Sequence, residues 1–375
     1  MTTAVGAPAQ HTTHRHLVAE VDAGIRPQAA LDAIVVPNGR DEHALSHTWT
    51  IARELDAPVL LLCSHAAKAD RVVLAAKEAG VQAFAIDTDG LPRHVMPRFA
   101  TTELLRHHNL LRGADTSLKR NVGLLVAGLA RWDRVLFLDD DIALPRPADL
   151  REAAGLLGEY VAVGLNNIGM PDNSVVCHAY RESGGFQDTF VGGGALVVGE
   201  RCLDSFFPDI YNEDWFFLLG DKALRRTALT GSAFQADYDP YNLIRAENEE
   251  LGDTLAEGVY ALLDRGLGVP AATKGYWAEF LEQRRNFIRK ALLQVQEAAG
   301  LDFARRDRMV EALRTALRQS ENVLTPELCA GYLRAWQEDR ATWCAHVADL
   351  DERHTAGGVD NAFRTLGISE LVLRS

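Results

Sequence analysis

The chain has 375 residues, 47% of them hydrophobic and 24% charged, which is long enough for a large core and too apolar for a chain disordered throughout. Its 39 basic and 52 acidic residues leave a formal charge of −13, which argues against duplex nucleic acid or an anionic membrane face as partner, since both require clustered positive charge. No apolar run reaches the ~20 residues of a membrane helix, and the five cysteines are odd in number, without a C-x-x-C pair; a soluble, cytoplasmic protein with reduced thiols and no structural zinc is expected.

Residues 1–30 lack an apolar stretch behind a basic start, so they are not a secretory signal and read as a flexible tail in which His11, His14 and His16 are solvated. From Leu31 to Asp89 short strands alternate with helices. DAIVVP (32–37), PVLLLCS (58–64) and QAFAID (82–87) read as strands, and EHALSHTWTIARELD (42–56) and KADRVVLAAKEAG (68–80) as helices. That alternation indicates βαβ units and a parallel sheet. Residues 90–115 are irregular and basic, with Arg93, His94, Arg98, Arg106, His107, His108 and Arg112. Asp115, Thr116 and Ser117 then offer N-cap oxygens to a helix, SLKRNVGLLVAGLARW (117–132), with Leu118, Val122, Leu125 and Leu129 near one face.

That helix leads into VLFLDDDI (135–142), an apolar strand running straight into Asp139, Asp140 and Asp141. Adjacent like charges repel, so a cation or solvent must offset them. A solvated turn is the plain reading, yet a buried strand delivers these groups to a defined place at the sheet's carboxyl edge, where open α/β sheets bind ligands. Alternation puts Asp139 and Asp141 on one side, suited to a shared hard divalent ion, Mg2+ or Mn2+, and turns Asp140 elsewhere. Lys119 and Arg120 lie near a helix N-terminus, where the dipole disfavours cations; an anionic phosphate between them and the metal reconciles the two.

Farther on, VAVGLNN, SVVCHAY and FVGGGALVVGE precede YNEDWFFLLGDKALRR. Gly192, Gly193 and Gly194 let backbone approach a ligand, although a tight turn explains them equally. Asp214 is placed to act as a general base toward a hydroxyl, with Trp215 as a wall for a sugar ring; a helix cap and a core tryptophan are the plain alternative. Beyond about Arg245 the apolar residues recur at helical period. The expected layout is a tail over 1–30, a ligand-binding domain over 31–245 and a helical region over 246–375.

Taken in order, DAIVVPNGRDE, LKRNVGL, VLFLDDDI and VGGGALVVGE with YNEDW resemble the nucleotide-sugar-dependent glycosyltransferases of the GT-A fold, family-2 type, over roughly residues 31 to 220. The resemblance implies a Rossmann-like, mixed and mostly parallel sheet flanked by helices, and a nucleoside-diphosphate sugar as donor. It places Pro37, Asp140 and Gly193 in the donor site, Asp139 near the ribose or sugar, and Asp141 on an Mn2+ or Mg2+ ion bridging the phosphates. Lys119 and Arg120 fall near the diphosphate. Asp214 matches the aspartate that takes the acceptor's proton in inverting members, with a retaining enzyme as the alternative, and Glu213 assists acceptor binding.

Two places depart from the family pattern. The acidic residue that reads the base after the second strand is replaced by Cys63, Ser64 and His65, which passes that part to Asp87 or Asp89. A later metal-binding histidine has no counterpart between His178 and His346, leaving His178, Asp237 or His346 as stand-ins. A haloacid-dehalogenase-type phosphatase also places D-x-D after a strand, but follows it with Thr or Val where this chain has Ala143. A nucleotidyltransferase would need a glycine-rich basic first loop, which PNGRDE matches feebly. A nucleotide-sugar-binding protein without turnover is the non-enzymatic alternative. With no membrane helix the acceptor is expected to be soluble. The helical region is expected to shape its pocket, to pair subunits in a homo-oligomer, or to be plain core.

Overall fold

A computed structural model describes residues 13–22 and 27–375. Its centre is a mixed, mostly parallel sheet between layers of helices. The first half alternates as the apolar periodicity requires: β2 (Ala33–Asn38), α1 (Ser46–Leu55), β3 (Val59–Cys63), α2 (Ala69–Glu78), β4 (Ala83–Asp87), α3 (Ala100–His107), α4 (Thr116–Ala130) and β5 (Arg134–Leu138). Every residue of β2 and β3 is buried, because helices cover both faces of a parallel sheet; their sequences are therefore continuous apolar runs.

β3 and β4 lie on one side of β2, and the chain then crosses back to lay β5 on the other side. This reversal opens a crevice beyond the carboxyl ends of β2 and β5. β6 (Ile142–Ala143), α5 (Ala148–Leu156), β7 (Ala162–Asn167), α6 (Val175–Glu182) and β8 (Ala195–Gly199) follow. β8 runs antiparallel to β5 with Ala195 opposite Leu138. The glycine run before β8 therefore faces the aspartates after β5. After α7 (Glu213–Leu218), β9 (Thr227–Gln235) runs parallel to β7.

The last third is helical, as the periodicity predicts: α8 (Leu243–Leu263), α9 (Lys274–Glu297), α10 (Phe303–Asn322), α11 (Pro326–Arg353) and α12 (Val359–Leu366). The side chains of Asn242, Thr273, Asp302 and Thr325 each accept a backbone N–H at the start of one of the first four. The short β10 (Leu373–Arg374) closes the sheet edge against β4. Trp336 and Trp343 of α11 share an apolar cluster with Val122 of α4 and Phe137 of β5. Among the described residues no helix is long and apolar enough to cross a membrane.

Three sequence expectations need correction. The segment 90–115 is not irregular throughout, since Ala100–His107 form α3. α4 does not present one apolar stripe: Lys119 to Ala127 are all buried, because the sheet lies on one side and α11 and α12 on the other. The approach is so close that a Cβ on Gly123 would stand 2.6 Å from Val35 Cγ1. Nor are residues 13–22 a loose tail. β1 (Ala19–Glu20) pairs with β9, and His14, 3% exposed, is wedged against Glu257 at 3.1 Å and Asp264 at 2.8 Å. Burial disfavours the charged ring, but these two carboxylates outweigh it and push its pKa up to about 9. His16 meets Asp264 from outside at 2.9 Å. His11 lies outside the described residues.

Candidate active site

The crevice holds two adjoining cavities, of about 270 Å3 and 170 Å3. Thr116, Asp139 and Asp141 line both, so the end of β5 forms the wall between them. Pro37, Arg40, His65, Asp115, Lys119 and Asp140 belong to the larger one. Arg112, Arg120, Asp172, Gly193, Glu213 and Asp214 belong to the smaller.

Arg120 pairs with Asp139, while Asp140 and Asp141 share Arg40. Asp139 takes both carboxylate contacts from Arg120 Nη2 at 2.9 Å, while its N–H donates to the Gly194 carbonyl at 2.9 Å. Asp140 turns to the loop after β2 and accepts the backbone N–H groups of Gly39 at 2.8 Å and Arg40 at 3.0 Å. Asp141 accepts from Arg40 Nη2 at 3.0 Å. Burial, then Asp139, raise the Asp141 carboxyl to about 6 in spite of Arg40.

Lys119 is buried and saturated: its ammonium reaches the Asn38 carbonyl at 2.8 Å, Ser64 Oγ at 2.7 Å and Asp115 at 3.0 Å, which uses all three donors. In this arrangement it braces the ends of β2 and β3 against α4. Arg120, 3% exposed, spans from Asp139 to Glu213, reaching Glu213 Oε1 at 2.8 Å. Its guanidinium lies over Phe207 and passes so close to the glycine run that a Cβ on Gly193 would stand 2.5 Å from Nη1. Gly193 is needed for that passage.

Asn212, in the left-handed region at φ 62°, turns the chain into α7 and sets Glu213 and Asp214 in its first turn, where the helix dipole favours carboxylates. Asp214 accepts from Gly193 N–H at 2.7 Å and from Trp215 N–H at 2.9 Å. Burial, then the neighbouring Glu213 and Asp172 charges, push its carboxyl up to about 8, against the pull of Arg120. The helical region holds this turn from behind: Tyr260 of α8 donates to the Trp215 carbonyl at 2.9 Å, and Asn212 reaches Asp253.

Several residues singled out in the sequence stand elsewhere. Asp87 accepts the Ala69 N–H at 3.0 Å at the start of α2, and neither it nor Asp89 is among the residues lining these two cavities; Asp115, an N-cap candidate in the sequence, lines the larger one. Trp215 packs against Phe190 and Tyr260 at 4.9 Å and 4.6 Å between ring centres, away from both cavities. His178 lies 2.9 Å from the Tyr238 hydroxyl, and burial lowers its pKa to about 4. His346 faces the Val95 carbonyl from α11. The exposed Asp172 lines the smaller cavity together with Gln235, and Ala236 N–H donates to the Asp141 carbonyl at 3.0 Å, which brings the chain at Asp237 next to the acidic turn. Arg40 lies within DAIVVPNGRDE but has no role assigned there, Arg112 and Asp172 belong to no motif, and only their position beside the aspartates marks the three.

The donor set suits a hard divalent ion. Asp139 and Asp141 offer carboxylate oxygens from one wall, and after burial the neighbouring Asp139 charge is the next cause that raises the Asp141 carboxyl. Cys177, Asp253 and Glu257 also bring ligand atoms within 4.8 Å of one another. That group is already matched in charge, with Arg284 on Asp253 at 2.6 Å and His14 on Glu257.

No protein-family model and no curated protein matches the chain. Among solved structures, a mannosyltransferase from Pyrobaculum calidifontis in complex with GDP-Man and Mn2+ aligns at a TM-score of 0.41 and 15% identity, covering 86% of this chain and 89% of that one. The likeness is too distant to carry an argument about activity.

Proposed function

We propose that this protein is a divalent-metal-dependent glycosyltransferase of the GT-A type, moving a sugar from a nucleoside-diphosphate donor to an acceptor hydroxyl. One observation supports the reading above the others: a single crevice at the sheet's switch point is divided by Asp139 and Asp141 into two chambers, and a buried carboxylate of raised pKa, Asp214, stands in the second.

In this reading the larger chamber takes the nucleoside, between Pro37 and His65 with Asp115 as the polar contact to the base. Asp139 and Asp141 would hold the ion, which when bound would offset charge growing on the leaving diphosphate. The acceptor enters the smaller chamber. Its hydroxyl oxygen bonds to the anomeric carbon as the bond from that carbon to the phosphate oxygen breaks on the opposite face, so configuration inverts. The hydroxyl proton passes to Asp214. A base titrating near working pH accepts that proton more readily than an ordinary carboxylate. Glu213, held by Arg120 and 3.6 Å from Arg112 Nη1, orients the acceptor. The acceptor identity is open to a polar, soluble molecule, because the smaller chamber is walled mainly by charged groups.

The test is a thermal-shift panel of uridine and guanosine diphosphate sugars with and without Mn2+, followed by assay of diphosphate release with hydroxylated acceptors. A donor that binds only the folded state raises the melting temperature, by an amount that grows with its concentration over Kd. Stabilisation that requires both sugar nucleotide and Mn2+ supports the proposal. A flat panel, or stabilisation without turnover for any acceptor, would leave a binding protein or a different enzyme.

A further inference from the structure

Arg40 stands where a cation is wanted. Its Nη2 lies 3.0 Å from Asp141 and its Nε 3.6 Å from Asp140. Unlike the buried Arg120, its side chain is 49% exposed. Its backbone is fixed through the N–H groups of Gly39 and Arg40, both accepted by Asp140; the half-exposed guanidinium beyond meets the two carboxylates at the mouth of the larger chamber.

We infer that Arg40 is a resident cation that covers Asp141 in the unloaded protein and yields to the divalent ion only when a nucleoside diphosphate arrives to receive it. The inference rests on the proposed donor and metal site and deepens it. A divalent ion on Asp141 would stand beside a guanidinium that already lies 3.0 Å from the same carboxylate, and two cations sharing one carboxylate repel at short range. Metal entry thus costs the Arg40 pairing. Once displaced, Arg40 stays tethered at the rim of the larger chamber. There the diphosphate of an entering nucleotide is a new anion within its reach, and arginine matches phosphate oxygens with two parallel donors. Metal and nucleotide therefore assist each other, and by linkage each tightens the other by the same factor.

The experiment measures Mn2+ binding by electron paramagnetic resonance to the full-length wild type, R40A and R40K, alone and with saturating UDP or GDP. Circular dichroism checks that each variant is folded. The expected result is that R40A binds Mn2+ alone about tenfold more tightly than wild type, equivalent to roughly 1.4 kcal/mol, with R40K close to wild type. The nucleotide should tighten Mn2+ strongly on wild type and much less on R40A. Unchanged Mn2+ affinity in R40A, with nucleotide still recruiting the metal, would overturn the role of Arg40 and leave the function standing. Tighter Mn2+ with undiminished nucleotide coupling would reduce Arg40 to a general background charge, and the inference would also fail. If none of the three proteins binds Mn2+ under any condition, the metal site and the inference fall together.

Discussion

Arg120 donates to both carboxylate oxygens of Asp139, each at 2.9 Å. Its other amino group reaches Glu213 at 2.8 Å, so one buried guanidinium ties the acidic turn after β5 to the first turn of α7. These two pieces carry the proposed metal ligands and the proposed base, and Arg120 spans them beside the glycine run that bonds to both Asp139 and Asp214.

Removing that tie leaves two partly buried carboxylates facing each other. R120A should lose about 2–4 kcal/mol of stability by urea titration. This is below the roughly 3–5 kcal/mol typical of a broken buried pair, because the Asp139 side chain is 29% exposed. Transfer should vanish in R120A, and R120K should recover stability better than activity, since an ammonium cannot span both partners. An R120A protein as stable as wild type would show that the bridge does not hold the site.

G193A tests the same spacing from the other side. A methyl group 2.5 Å from Arg120 Nη1 must push the guanidinium away, at a cost of about 1–3 kcal/mol. Turnover should fall at least tenfold, measured as diphosphate release, with a smaller change in donor binding. Full turnover would mean that Arg120 need not sit where it does.

Asp214 supplies a pH dependence with a definite sign. As a base it works only without its proton, so kcat should climb as pH rises through about 8 and level off above. D214N should keep metal-dependent donor binding by thermal shift and lose transfer. Full activity in D214N would remove Asp214 from the chemistry.

Metal binding separates cleanly from that step. D141N should abolish the Mn2+-dependent part of donor stabilisation, read by calorimetry, because the exchange removes a charged hard ligand. Retention of Mn2+ affinity in D141N would place the ion elsewhere.

The clamp on His14 predicts how stability varies with pH. Its folded pKa of about 9 stands above the usual 6.5, so its contribution is fully present below pH 6.5 and lost as pH rises through 9. The full effect is on the order of 3 kcal/mol. H14Q should lower the melting temperature at pH 6 and flatten the decline between pH 6.5 and 9. Parallel curves for H14Q and wild type would show that His14 is not charged in the fold.

Much of this arrangement is legible along the chain because its causes are local. Apolar runs such as VLLL in β3 and the caps Asn242, Thr273, Asp302 and Thr325 depend on neighbours a few residues away. The order of strands and helices, the helical last third and the position of the aspartates at a strand end follow from them. Who neutralises whom does not. Arg40 meets Asp141 across about a hundred positions of sequence, Arg120 meets Glu213 across 93, and His14 meets Glu257 across 243. Asp87 and Asp115 are both acids near the same edge, yet one is spent on a helix start and the other faces the crevice. A hydrogen bond or ion pair is decided within about 3 Å, and only the folding of distant segments onto one sheet edge brings such groups that close; local periodicity holds no record of it.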